Sequence, residues 1–112
     1  MIRRGFVSNS SSTSFIVNNK TDEDLTLLDF VKENPQLVSD FIEQYSWHEE
    51  NRYNQEVMIQ CAESRGTVIN SGKNIMTFGD EDGDVLGVVF DYMLRDGGNS
   101  ESFSWKFHEF RR

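Results

Sequence analysis

The sequence predicts an α+β fold: a single small domain spanning residues 1–112, with three to four helices packed on a small, mostly antiparallel sheet. The first observation behind this prediction is apolar residues at helical spacing in the first half of the chain. The clearest such stripe is Leu37, Val38, Phe41, Ile42 and Tyr45. The second observation is a set of short β-branched and aromatic runs in the second half, where Phe103, Trp105 and Phe107 alternate with polar residues.

Three helices are expected before residue 66. The first should begin after residues 21–24, where Thr21 and three acidic residues offer N-cap candidates and a favourable charge for the helix dipole. Asn34 and Pro35 then separate it from the second helix, because Asn34 can cap and Pro35 suits a first helical position. A third, shorter stripe over residues 53–62 ends before Gly66.

Four strands are expected, near residues 14–18, 67–70, 74–79 and 102–110. The second and third are predicted to form a hairpin, since the segment Asn70-Ser71-Gly72-Lys73, which joins them, has the composition of a tight turn. Phe110 breaks the alternation of the last strand, so we expect it on an exposed edge.

Residues 85–94 are apolar on nearly every side. Asp82 or Asp84 before them and Gly97 after them are favourable cap residues and predict a helix. The β-branched pair Val88-Val89 keeps a strand open as the alternative. If the segment is helical, the missing side chain of Gly87 permits close approach by a neighbouring element.

Charge and composition narrow the classes of function. The formal net charge is −8, and the acidic residues are concentrated in residues 21–101. Direct binding to nucleic acid is therefore not expected, because phosphate contacts need clustered Lys and Arg. No apolar run approaches the ~20 residues of a membrane span, so no membrane association is expected. A single cysteine, Cys61, cannot form an intramolecular disulfide and suits a reducing cytoplasm.

The sequence contains no clear motif for catalysis, metal binding or cofactor binding. Asp80, Asp82 and Asp84 alternate as in a calcium loop, but the position of Gly83 does not fit an EF-hand. The more favoured interpretation is a solvated turn that caps the next helix. Cys61 lies in an apolar stripe and is interpreted as a core residue. We therefore expect no enzymatic activity, no cofactor and no metal.

The alternating aromatic residues near the C-terminus allow two interpretations. They could form a stacking platform for single-stranded nucleic acid, which requires basic neighbours on the same face. Lys106 points to the opposite face in a regular strand, so core packing is favoured.

A serine-rich run near the N-terminus lies between two apolar clusters. A solvated tail has no use for bulky apolar side chains at both ends, so part of the segment should be folded, with residues 15–17 forming a strand that pairs with the domain's own sheet. The functional interpretation is a docking segment, and the alternative is a mobile tail. The candidate protein-binding residues are Phe6, Val7, Ser8, Asn9, Ser10, Ser11, Ser12 and Phe15.

This opening resembles a scattered set of small phage and bacterial proteins that begin Phe-Val-(Ser/Thr)-Asn, continue with several serines, and then have Phe and an aliphatic residue. Phe6-Val7-Ser8-Asn9, Ser10-Ser11-Ser12 and Ser14-Phe15-Ile16 match the pattern, while Thr13 departs from it. The resemblance covers about the first sixth of the chain. It implies a phage or phage-derived origin, and no functional residue is carried over from it.

These observations predict a small acidic protein of phage origin that acts by binding another protein. The partner would be a phage structural subunit, with the protein as a virion or assembly component in the host cytoplasm or the virion. The alternative is an early-expressed acidic inhibitor of a host enzyme or defence system, for example as a mimic of nucleic acid.

Overall fold

The computed structural model describes residues 12–45, 53–79 and 82–111. Within these ranges the chain forms four helices and six strands, arranged as an α+β domain, so the predicted fold class is confirmed. The helices are α1 (Leu27–Glu33), α2 (Gln36–Gln44), α3 (Gln55–Arg65) and α4 (Val85–Met93). The strands are β1 (Ser12–Asn19), β2 (Leu25–Thr26), β3 (Val68–Ile69), β4 (Gly72–Gly79), β5 (Gly98–Asn99) and β6 (Phe103–Arg111).

Strand β1 organises the main sheet. The strand order is β4-β1-β6-β5, and β1 pairs with both β4 and β6 in antiparallel register. Side chains on one face of the sheet are buried and form the core; Phe15, Phe78 and Phe103 are at most 1% exposed. Ile16 and Asn18 lie on the other face, as expected from the alternation along a strand. The prediction that residues 15–17 pair with the domain's own sheet is confirmed.

The predicted hairpin is wrong. β3 pairs with β2 in a separate two-stranded sheet, whereas β4 pairs with β1. The side chain of Asn74 explains the difference, because its carboxamide accepts a hydrogen bond from Asn70 N (3.2 Å) and donates to Asn70 O (2.8 Å) and Gly72 O (3.1 Å). These bonds make residues 70–74 a corner that redirects the chain from one sheet to the other.

The start of α1 differs from the prediction, whereas the boundary between α1 and α2 and the end of α3 lie near the predicted residues. α1 begins later than predicted, because residues 25–26 first form β2 and Thr26 is the N-cap. Thr26 and Asp29 form a capping box, in which Thr26 N donates to Asp29 Oδ2 (2.9 Å) and Asp29 N donates to Thr26 Oγ1 (3.2 Å). Pro35 directly precedes α2, and α3 ends at Gly66 in the left-handed conformation (φ 60°).

The choice between helix and strand for residues 85–94 is settled in favour of helix α4. Asp84 is its N-cap, and its carboxylate accepts a hydrogen bond from Gly87 N (2.9 Å). The expected close approach at Gly87 is also confirmed. A Cβ atom there would lie 2.5 Å from Asp82 Oδ2 and 2.7 Å from Gly79 O, so only glycine fits between α4 and the end of β4.

The core is rich in aromatic side chains. Phe30 of α1 makes edge-to-face contacts with Phe90, Phe103 and Trp105, at centroid distances of 5.4, 5.1 and 5.2 Å. These contacts join α1 to α4 and to the sheet. A second group surrounds Phe41 of α2, whose ring is fully buried.

Phe41→Ala should lower the free energy of unfolding by ~3–5 kcal/mol, since it leaves a cavity among packed rings. Tyr45 and Tyr53 lie 5.1 and 5.0 Å from the Phe41 ring. Urea denaturation measures the change. The matched control is Phe110→Ala, which removes the same side chain from a position that is 52% exposed and should cost much less. Equal losses for the two variants would show that the α2 stripe is not a core face.

Candidate protein-binding surface

The structure places two of the eight predicted binding residues. Phe15 is fully buried and its ring lies 6.2 Å from that of Phe78, so it contributes to the core of this domain. Ser12 is the first residue of β1 and is 5% exposed. The other six, Phe6, Val7, Ser8, Asn9, Ser10 and Ser11, lie outside the described residues.

The end of the serine-rich run is part of the sheet. Thr13 Oγ1 donates a hydrogen bond to Asp91 Oδ1 of α4 (2.6 Å), and the hydroxyls of Ser14 and Thr77 share a hydrogen bond of 3.0 Å. Thr13 and Ser14 are only 2% and 0% exposed. The strand thus begins at Ser12, two residues earlier than predicted, because these hydroxyls find partners within the domain.

Two aspartates that precede α4, Asp82 and Asp84, form ion pairs with one arginine. Arg65, at the end of α3, donates to both carboxylate oxygens of Asp84 (Nη2–Oδ1 2.7 Å, Nε–Oδ2 3.1 Å) and lies 3.2 Å from Asp82 Oδ2. Asp82 also accepts from Gly79 N (3.1 Å). Burial acts to raise the pKa of Asp84, but the hydrogen bonds from Arg65 and Gly87 N and the charge of Arg65 outweigh it, so the pKa is lowered. The cluster ties α3, β4 and α4 together.

Side chains that could take part in catalysis are dispersed in the part of the chain that the structure covers. Cys61 is partly buried on α3 and packs against the core, whereas His108 lies on β6 beside Glu109. Among the described residues, no group of three or more His, Cys, Asp or Glu side chains is placed to hold a metal ion.

The aromatic residues of β6 divide into a buried pair and an exposed pair. Phe103 and Trp105 are 0% and 6% exposed, so they belong to the core and are not accessible as a stacking platform. Phe107 and Phe110 are 38% and 52% exposed, and their rings meet edge-to-face at 4.8 Å. Lys106 lies opposite Ile16, on the other face of the sheet, as the sequence predicts.

A β-bulge explains why two phenylalanines three positions apart lie on the same face. Phe107 pairs with Phe15 and Glu109 pairs with Ser14, which leaves His108 without a partner in β1. The extra residue reverses the alternation of β6. Phe110 consequently pairs with Thr13 and lies on the helix-bearing face with Phe107. The predicted exposure of Phe110 is confirmed, and the bulge is the reason for its break in the pattern.

Arg95, just after α4, contacts the ring of Phe110 and that of Tyr92. Its guanidinium lies 5.4 Å from the centre of the Phe110 ring and 5.0 Å from that of Tyr92, within cation–π range. Arg95 Nε donates to Asp91 O (2.7 Å) and Nη2 donates to Asp91 Oδ1 (3.0 Å). We call Tyr92, Arg95, Phe107 and Phe110 the aromatic cluster.

The aromatic cluster consists of residue types that are frequent at protein interfaces. Tyrosine, phenylalanine and arginine are enriched where proteins bind one another, and tyrosine and arginine are frequent hot spots. Tyr92 is 39% exposed, and the side chain of Arg95 is 37% exposed. The sequence did not indicate either residue, because Tyr92 lies in the last turn of the apolar helix α4 and Arg95 follows that helix, with no pattern of their own. The only available signal was the three-residue spacing of Phe107 and Phe110.

No family model matches the chain, and searches of curated proteins and of solved structures found no match. None of the helices described here is long and apolar enough to cross a membrane.

The lowered pKa of Asp84 predicts acid sensitivity. Its folded-state pKa lies below the unfolded value, so its stabilising contribution is complete above the unfolded pKa of ~4 and is lost as the pH falls towards the folded value. Asp84→Asn keeps a capping oxygen but removes the charge beside Arg65. Urea midpoints between pH 7 and pH 3 should fall less steeply in this variant than in the wild type.

The control for this measurement is Asp40→Asn, which neutralises an exposed carboxylate on α2. This variant should follow the wild-type pH profile closely. If Asp84→Asn follows that profile equally well, the Arg65–Asp84 pair does not contribute to the pH dependence of stability.

Proposed function

We propose that this chain is a non-catalytic protein-binding domain of phage origin, and that the aromatic cluster is its main contact surface. The observation that carries the proposal is the exposed, mutually packed pair Phe107 and Phe110. Single exposed apolar side chains are common on protein surfaces, whereas large contiguous apolar patches mark interaction sites. Here a bulge places the two rings together, and bulges of this kind often re-aim a side chain at a functional position.

Preorganisation supports the same proposal. Rotamer-rich side chains lose ~0.5–1.5 kcal/mol each when a partner immobilises them. In the aromatic cluster this loss is reduced, because Asp91 holds Arg95 through two hydrogen bonds and Arg95 in turn contacts Phe110 and Tyr92. Burying these rings against a partner removes apolar surface from water, which favours association.

The cluster also indicates the chemistry of the partner. Two exposed phenylalanines require apolar or aromatic side chains opposite them. Arginine carries five N–H donors, and Asp91 accepts two hydrogen bonds from Arg95. Because the side chain is 37% exposed, further donors can reach a carboxylate or a carbonyl oxygen of a partner. We therefore propose a protein segment that combines apolar side chains with a nearby acidic residue.

The N-terminal residues remain part of this proposal. Ser12 lies opposite Arg111 and Thr13 lies opposite Phe110, so the serine-rich run enters the sheet at the same end as the aromatic cluster. Residues 6–11 are joined directly to that end through the chain. A partner docked on Phe107 and Phe110 would therefore lie close to the start of β1.

A displayed library of random dodecapeptides, selected on the immobilised full chain, tests this function. Enriched peptides should combine apolar and acidic residues. Phe107→Ser with Phe110→Ser should weaken their binding at least tenfold, because both apolar anchors are lost. The matched control is Val68→Ser, which removes an exposed apolar side chain (53%) from β3 and should leave binding unchanged.

Two results would contradict the proposal. One is a selection that enriches no peptide. The other is a set of basic peptides that bind the double variant as well as the wild type, which would favour the acidic body as the binding surface and the inhibitor interpretation.

A further inference from the structure

The outer edge of β4 has no strand partner in the described part of the chain. β4 is the first strand in the order β4-β1-β6-β5, so only one of its two edges pairs with β1. All eight residues of β4 are in continuous register with β1, without the irregularity that interrupts the pairing of β1 with β6. Because only alternate residues of a strand direct their N–H and C=O groups to a given edge, the outer edge offers a regular series of backbone donors and acceptors along β4, apart from Gly79 N at its end, which donates to Asp82 Oδ2.

This edge lacks the features that usually prevent strand pairing between molecules. Such features are prolines, several charged side chains, bulges, or a very short strand. β4 contains no proline and only one charged residue, Lys73. Ile75, at its centre, is 64% exposed and lies on the outer face of the sheet opposite Ile16.

We propose that two copies of this protein associate through β4, which pairs antiparallel with the same strand of the partner across a two-fold axis. The two sheets then form one continuous eight-stranded sheet. In an antiparallel pair, residues directly opposite each other have their side chains on the same face of the sheet. The two-fold axis must therefore lie between two copies of the same residue. If the axis lies at Ile75, this residue faces the partner's Ile75. The pairing brings together the most exposed apolar side chain of β4 from each copy.

The other side chains of β4 are compatible with this register. Lys73 lies opposite the partner's Thr77, so no like charges meet directly across the axis. Ile16 and Ile75 of one copy continue into the corresponding pair of the partner, forming an apolar stripe across the outer face. An axis at Met76 would instead place Ile75 opposite the partner's Thr77, which pairs an apolar with a polar side chain.

The dimer leaves the aromatic cluster accessible. β4 and β6 are separated by β1, and the aromatic cluster lies at the β6 side of the sheet. A symmetric dimer would carry two such clusters and could bind a partner with two contact sites more tightly than a single copy could. The dimer itself does not depend on the proposed binding function.

Cysteine cross-linking tests the register. In a Cys61→Ser background, Ile75→Cys should give a disulfide-linked dimer on mild oxidation, since side chains directly opposite have Cβ atoms ~4.5–5.5 Å apart, near disulfide distance. Lys73→Cys is the matched control, because residue 73 does not face its own copy and should cross-link much less. Equal cross-linking at both positions would overturn the register.

Sedimentation equilibrium tests the association itself. The wild type should show a concentration-dependent rise towards twice the chain mass of 13.0 kDa. Ile75→Lys should raise the dimer dissociation constant about tenfold or more, because it replaces an apolar pair by two like charges. Val68→Lys introduces the same charge at an exposed position of β3 and should leave the dissociation constant unchanged. A wild type that stays at the mass of one chain at every concentration would overturn the proposal.

Discussion

A buried carboxylate connects the fold to its proposed contact surface. Asp91 lies in α4 and is only 4% exposed, yet it accepts hydrogen bonds from Thr13 (2.6 Å) and from Arg95 (3.0 Å). Removing one partner of a buried charge is strongly destabilising, because the charge is left without compensation. Asp91 therefore keeps the beginning of β1, the end of α4 and the Arg95 guanidinium in one fixed arrangement.

Through this arrangement, the C-terminal end of the serine-rich run, at Thr13, contributes to the packing of the domain. Thr13 departs from the serine run, and its β-branched side chain suits a strand while its hydroxyl reaches Asp91. On the same face, Phe110 lies opposite Thr13 because of the bulge at His108. The aromatic cluster is thus bonded to the core through Arg95 and Asp91 on one side and exposed to solvent on the other. In the contact surface that we propose, this arrangement reduces the entropic penalty of binding.

Local patterns made much of the fold predictable. The stripe of α2, the caps of α4 and the strand around Phe15 follow from periodicity and capping chemistry in short windows of sequence. The corner at residues 70–74 was not predictable, because hairpin composition is the same whether or not the Asn74 side chain binds the backbone around it. The break at Phe110 was visible in the sequence, but the face on which its ring lies depends on the register of β6 against β1. The positions of Tyr92 and Arg95 required the packing of α4 against that strand.

The bulge at His108 places Phe107 and Phe110 on the helix-bearing face, where Arg95 contacts Phe110. Nuclear Overhauser contacts between side chains in solution test this most directly. We expect contacts between the Phe107 and Phe110 rings and from the Arg95 Hε proton to the rings of Phe110 and Tyr92. A regular β6, with the Phe110 ring on the same face as Lys106 and in contact with neither Phe107 nor Arg95, would contradict it.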